Sequence, residues 1–373
     1  MLYTTAIKQA KEDMEKILSQ EGLENYSFSL KRMKQSYTKG EHNFDNKEIR
    51  INTDVLFFNI ERKNDAPIYT PFPKPIIKQP ILDAMRISFC HEVTHAKDFS
   101  FPMERLETKE ERERFALEDI ACTNPKFYKG SPHQSFPNYT KISFEARAFT
   151  KSIIMARDFI MNNENVSLEE ANQRIINALN YEISDSSLFK VLRKNPNYNP
   201  YYNAMRDGEY IPGSNKKYLD DISFHNFEEV EQAINNVLDT SRNHDFIDYE
   251  YPRRPPGAFE PIYVKEEFQD NIKEINKDIE DLGFTQEFYY SLSQQEKLYY
   301  NAAIAIKYYD RYKELNPNCR TLPERLERHK EAGFLDLEKL DLSYFERKLE
   351  TFLEAHGLKS KEIEPEPDDL LSR

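Results

Sequence analysis

The chain has 373 residues, two to three times an ordinary domain, so one to three domains are expected, each able to bury a core. Its 52 lysines and arginines stand against 65 aspartates and glutamates, a net charge of −13, which argues against a general nucleic-acid binder. The acidity lies at the back: residues 1–160 carry +2 and residues 161–373 carry −15.

Residues 4–20 are predicted helical, because Ile7, Ala10, Met14, Ile17 and Leu18 recur at helical spacing among lysines and glutamates. This first stretch lacks the unbroken apolar run of a signal peptide. From Tyr26 to Asn52 the period shortens. Tyr26, Phe28 and Leu30 alternate, a turn is expected at Lys39-Gly40, and Ile49 and Ile51 alternate within KEIRIN (residues 47–52), so two or three strands of a small sheet are predicted. Pro67 to Pro80 holds five prolines in fourteen residues and reads as loop. A helix should start near Pro80 and run to about Asp98. Residues 103–119 read as a charged helical insertion and 124–137 as loop.

Another helix is predicted from Ser143 to about Asn162, then one capped by Ser167 and Glu170 in an S-x-x-E box. Residues 183–225 are rich in Tyr, Asn and Pro and read as irregular, 226–241 as helical, and Asp248–Pro261 as a proline-rich link. Residues 264–315 and 322–356 read as amphipathic helices, whose paired tyrosines (Tyr289, Tyr290, Tyr299, Tyr300, Tyr308, Tyr309) are expected to pack between helices. The polar tail, 358–373, is expected to be disordered. The fold class is therefore α+β, mainly α, with a small β-sheet in front and a helical C-terminal region. No stretch approaches 18 apolar residues, so no membrane span is expected. No heptad run sets an oligomeric state.

Chemistry concentrates at His91-Glu92-Val93-Thr94-His95, an HExxH. On a helix, residues four apart stand one turn apart on one face, so two imidazoles can address one Zn²⁺. Glu92, one position round from His91, can then reach a zinc-activated water and take its proton. The setting supports this: Leu82, Met85, Phe89, Val93 and Ala96 form one apolar stripe, while Ala84, Ser88, His91 and His95 share another face. Cys90, beside His91, diverges from it by about 100° around the helix and reads as a core thiol. With Cys122 and Cys319 it makes an odd, widely spaced set without CxxC, so no disulfide framework is expected. Nine glycines, none in GxGxxG or GxxxxGK, give no phosphate-cradling loop.

A catalytic zinc needs a third protein ligand and an open position. The continuation HxxGxxH is absent, since Asp98 stands where the glycine would be and Phe101 where the third histidine would be. Asp98 is one candidate, better suited to supporting the ligands from behind. Glu145 is the stronger one: with Ala148, Phe149, Ser152 and Ala156 it marks a helix face with little bulk. Its alternative role is an acid stabilised by the positive end of its own helix.

HEVTH followed fifty residues later by FEARAF resembles the gluzincin branch of the zincin metallopeptidases, and is similar to the ImmA/IrrE-type and anthrax-lethal-factor-like peptidases. The resemblance implies His91, His95 and Glu145 as zinc ligands and Glu92 as general base and acid. It also implies a helix, a small sheet and two metal helices in that order over 1–182. An edge strand before the HExxH helix would bind the peptide in extended form, a role that falls to KEIRIN. Lethal-factor-like enzymes place a tyrosine shortly upstream of the ligand glutamate, which points to Tyr139 as oxyanion stabiliser, with His133 and His225 as rivals. The expected organisation is thus a gluzincin-like domain (1–182), an irregular aromatic and proline-rich connection (183–262), an acidic helical region (263–357) and a tail (358–373).

The function expected is a zinc metalloendopeptidase acting on a protein or peptide substrate, with no nucleic-acid partner. The alternative is a zincin-fold binding or regulatory protein with a structural metal. The expected location is the cytoplasm, or outside the cell by a route without a cleavable signal.

Overall fold

The computed structural model describes residues 1–33, 39–63, 66–121, 143–184, 224–243, 274–275, 277–315 and 322–358. The chain divides into two compact units, Met1–Phe115 with Phe127–Val264, and Ala116–Lys126 with Lys265–Arg373. The fold is α+β and mainly helical, as composition and periodicity predict.

In the first unit, helix α1 (Tyr3–Gln20) buries Ala6, Ala10, Met14, Ile17 and Leu18, the stripe its spacing predicts. It ends in a left-handed glycine, Gly22 (φ 70°), whose N–H donates to Ser19 while that of Leu23 donates to Leu18. This pair of bonds is a Schellman closure, and glycine takes the left-handed position without steric cost.

Three strands follow, β1 (Ser27–Lys31), β2 (Gly40–Asn43) and β3 (Glu48–Asn52), in the order β1-β3-β2. KEIRIN is therefore the central strand, not the edge expected of it. It pairs in parallel with β1 and antiparallel with β2, so its backbone groups are taken on both sides. Its alternation is that of a strand whose Ile49 and Ile51 enter the core.

The proline-rich stretch departs from expectation too. After a short helix α2 (Thr53–Phe57), β4 (Phe58–Lys63) pairs antiparallel with β5 (Ala66–Pro73), with an irregularity between Phe58 and Ile60. Pro67 stands opposite Arg62 and Pro73 opposite Phe58, in a two-stranded ribbon whose outer edge tolerates strand proline because no N–H is needed there.

Helix α3 (Gln79–Ser100) carries Pro80 in its first turn and is buried over most of its length, because α1, the sheet, α6 (Ser143–Glu164) and α7 (Leu168–Ser184) all pack on it. The charged insertion is two helices, α4 (Pro102–Arg105) and α5 (Lys109–Ala121). Thr108 separates them: its hydroxyl accepts from the Glu111 N–H, and the Glu111 carboxylate accepts from the N–H groups of Glu107 and Thr108. Ser167 caps α7 as predicted, accepting from the Glu170 N–H. Asn180 of α7 exchanges two hydrogen bonds with the backbone of Phe224, anchoring the start of α8 (Phe227–Asn243).

A buried ionic cluster joins four of these elements. Arg86 of α3 donates to Asp13 of α1 (2.8 Å) and lies 2.7 Å from Asp83 and 2.8 Å from Glu164 of α6. Arg174 of α7 reaches the same Asp83 (2.7 Å) and Glu164. Asp13, Asp83 and Arg86 are at most 2% exposed.

In the second unit, the stretches expected to be helical hold α9 (Gln286–Ser291), α10 (Gln294–Lys307), α11 (Tyr309–Leu315), α12 (Leu322–Glu331) and α13 (Leu342–Ala355). Tyr289, Tyr299 and Tyr300 are buried with Phe284, Phe288 and Phe345, whereas Tyr290 is exposed. Asp119 of α5 lies buried against Arg325, Arg328 and His329 of α12. Among the described residues no helix is long and apolar enough to cross a membrane.

Replacing Arg86 by Met should leave buried Asp13 without its cation and Asp83 with Arg174 alone, and cost about 3–5 kcal/mol of unfolding free energy. Urea denaturation at neutral pH measures it. A loss under about 1 kcal/mol would mean the cluster does not hold the helices together.

Candidate metal centre

His91 and His95 follow one another by a helical turn on α3, and Glu145 stands in the first turn of α6. The two helices pack together over much of their length. Small residues at Ala146, Ala148 and Ser152, all fully buried, permit the close approach. His91 Nε2 lies 3.1 Å from His95 Nε2, and these atoms lie 3.4 and 3.3 Å from the two Glu145 oxygens. Glu145 is 2% exposed.

These spacings carry information about what the cluster holds. Donors at ~2.0–2.1 Å from one ion in a tetrahedron stand about 3.3–3.4 Å from each other. The imidazole–carboxylate spacings sit close to that edge length, each nitrogen facing a different Glu145 oxygen, and the three residues form the one metal-capable group of three or more His, Cys, Asp or Glu among the described residues. Imidazole with carboxylate suits a divalent transition ion. Two imidazole nitrogens pointed at one buried carboxylate are thus what a cation site requires, and the donor set fits one.

The surroundings are apolar on one side. The His91 ring lies 4.5 Å from that of Phe149, and the His95 ring 5.9 Å from that of Phe144, which joins Phe99 and Phe115 in an aromatic cluster. Such walls strengthen every charge interaction inside them. Burial works against a charged His95, but Glu145, with Glu92 and Asp98 behind it, outweighs this and raises its pKa to about 9. Burial likewise opposes an ionised Glu145, and the two imidazoles overcome it, holding the carboxyl well below the usual range. For Glu92, burial dominates and raises the carboxyl; His91 and His95 offset part of this, while Glu145 and Glu41 add to it. An acid displaced upward in this way suits proton transfer near neutral pH.

The structure places the other predicted residues as follows. Glu92 is 7% exposed and lies beside the cluster, against Gly40 of β2. Asp98 is fully buried and is not a ligand. Its Oδ1 faces Arg105 (3.3 Å) and Arg147 (3.5 Å), and the Arg147 guanidinium also donates to the Arg105 carbonyl. Asp98 thereby ties the end of α3 to the turn of α6 that carries Glu145. Asp98 Oδ2 and His95 Nδ1, both buried, accept or donate no hydrogen bond among the described residues.

His225 is exposed and bonds Glu229 in the first turn of α8, so it does not enter the site. Tyr139 and His133 lie outside the described residues. Cys90 is fully buried, and burial pushes its thiol far up, as a core cysteine requires. Ser88 donates to the Ala84 carbonyl rather than to the histidines. The linear pattern gives no sign of the Gly40 or Arg147 contacts, because both join segments about fifty residues apart in sequence.

Without metal, the raised His95 value stabilises the fold fully below pH 6.5 and is lost as pH rises through about 9. The depressed Glu145 value stabilises above pH 4.5 and is lost on acidification. A divalent ion entering this group would have to displace the His95 proton. Its apparent affinity should therefore climb up to about tenfold per pH unit, levelling off above about pH 9. Competition with a chromogenic chelator across this range tests it, and a flat profile would contradict the protonated pair.

Comparison with known proteins is silent on kinship: no protein family, no curated protein and no solved structure matches the chain.

Proposed function

We propose that the chain is a zinc-dependent metallopeptidase of gluzincin type, with His91, His95 and Glu145 as ligands and Glu92 as general base and acid. The observation that carries the reading is the convergence of two imidazole nitrogens, 3.1 Å apart, on the two oxygens of one buried carboxylate at 3.3–3.4 Å, with a second buried acid, Glu92, beside them. Bound there, zinc would supply Lewis acidity, lowering the pKa of water towards ~7 and polarising a carbonyl.

The chain's own residues do the rest. Glu92, displaced upward, accepts the proton of the attacking water and returns it to the departing amine nitrogen. Phe144 and Phe149 exclude bulk water from the side they cover. Asp98, through Arg147, holds α6 so that Glu145 stays opposite the imidazoles.

Extended peptide would pair with β2 instead of KEIRIN. Among the described residues β2 pairs on one side only, with β3, and its first residue touches Glu92. A strand added there would run past the acid, in the manner of β-augmentation. Tyr139, just upstream of α6, keeps its proposed place as oxyanion donor.

The rival reading, a structural metal in an inactive zincin fold, requires a closed site with a fourth protein donor. Among the described residues three donors converge, and Asp98 is occupied by two arginines. This favours the open, catalytic arrangement.

Glu92→Gln should retain about one zinc per chain while hydrolysis of a quenched-fluorescence peptide library falls by roughly 10²–10⁴. Cleavage unchanged in this variant would remove Glu92 from its role. A wild-type chain that binds no zinc would end the proposal.

A further inference from the structure

The five glycines among the described residues fall into two kinds. Gly22, Gly283, Gly333 and Gly357 have φ between 67° and 85°, where the backbone itself calls for glycine. Gly40 does not. It opens β2 in ordinary extended backbone, so space has to explain its missing side chain.

The sheet register shows what fills that space. Leu30, Ile51 and Gly40 stand in one row across β1, β3 and β2, and Phe28, Ile49 and His42 in the next. Ile49 and Ile51 are fully buried, so these rows line the core face of the sheet. Opposite them runs a stripe of α3 at helical spacing, Phe89, Glu92, Ala96 and Phe99. Phe89 meets Phe28 edge-on with ring centres 6.0 Å apart, and Phe99 stacks on His42 at 6.1 Å. Glu92 is the one charged member of this stripe. A methyl group built on Gly40 would come within 2.6 Å of Glu92 Oε1 and 2.7 Å of its Cγ. Contacts that short force one partner to move.

We propose that Gly40 is a positioning residue: the gap it leaves at the end of a core row is the slot that holds the Glu92 side chain beside the three donors. A side chain at position 40 would evict the carboxylate while leaving His91, His95 and Glu145 in place, since the three atoms nearest to the missing methyl all belong to Glu92. The slot itself follows from packing. Its catalytic meaning rests on the peptidase reading.

A double-mutant cycle separates the two. Gly40→Ala should lower the thermal unfolding midpoint by about 2–4 °C when Glu92 is present. In a Glu92→Ala background the same change should lower it by less than 1 °C, or raise it, because the obstructing atoms are gone and alanine has the better strand entropy. In the zinc-loaded enzyme, Gly40→Ala should reduce kcat on the peptide library by about 10²-fold, with KM and zinc content unchanged.

Equal destabilisation in both backgrounds would overturn the slot, and Gly40→Ala with undiminished kcat would overturn its positioning role. Coupling present in a chain that hydrolyses no peptide would sustain the slot and end the peptidase reading. Hydrolysis by wild type without coupling would do the reverse.

Discussion

A carboxylate shut away from water opposite two imidazoles is the interaction on which this molecule turns. Burying Glu145 is unfavourable unless positive charge stands beside it, and the geometry supplies His91 and His95 at hydrogen-bonding to ion-pairing distance. Those three side chains belong to two helices fifty residues apart in sequence, so the cluster exists only while α3 and α6 keep their separation. The rest of the first unit can be understood as enforcing it. Small residues on α6 allow the approach, Asp98 and Arg147 tie the helices at the end nearest the site, and the Asp13–Arg86–Asp83–Glu164–Arg174 cluster fastens the other end of α3.

Helix α3 thus carries polar groups at both ends of a buried body. Asp83 and Arg86 serve its anchoring, and His91, Glu92 and His95 serve the site. Internal ion pairs are poor sources of net stability, but losing one member leaves a charge uncompensated. A helix fixed in this way resists the small slides that would misplace a donor set by an ångström, and donor sets tolerate little misplacement. The aromatic cluster of Phe99, Phe115 and Phe144 adds a rigid apolar wall.

Much of this was legible in the chain. Helical spacing located α1, α3, α6, α7 and α8, and the HExxH spacing put two imidazoles on one face. The low-bulk face around Glu145 pointed to the third donor, because a lone acid among small residues needs a cation. What escaped depends on pairing between distant segments. KEIRIN alternates as a strand, but alternation does not tell a central strand from an edge, and the sheet order assigns the edge to β2. The prolines after Pro67 argued for loop, yet a two-stranded ribbon has an edge that accepts them. Gly40 read as a turn residue because glycine usually is one, whereas here its missing side chain makes room for an acid on another element.

The central claim is that His91, His95 and Glu145 grip one ion together. Zinc K-edge X-ray absorption on the protein loaded with one equivalent tests it most directly. The account predicts two imidazole nitrogens at ~2.0–2.1 Å and oxygen scatterers at ~2.0–2.2 Å, with four neighbours in all and the imidazole signal halved in His91→Ala. A shell of six oxygens without imidazole, or a spectrum unchanged by that substitution, would contradict it.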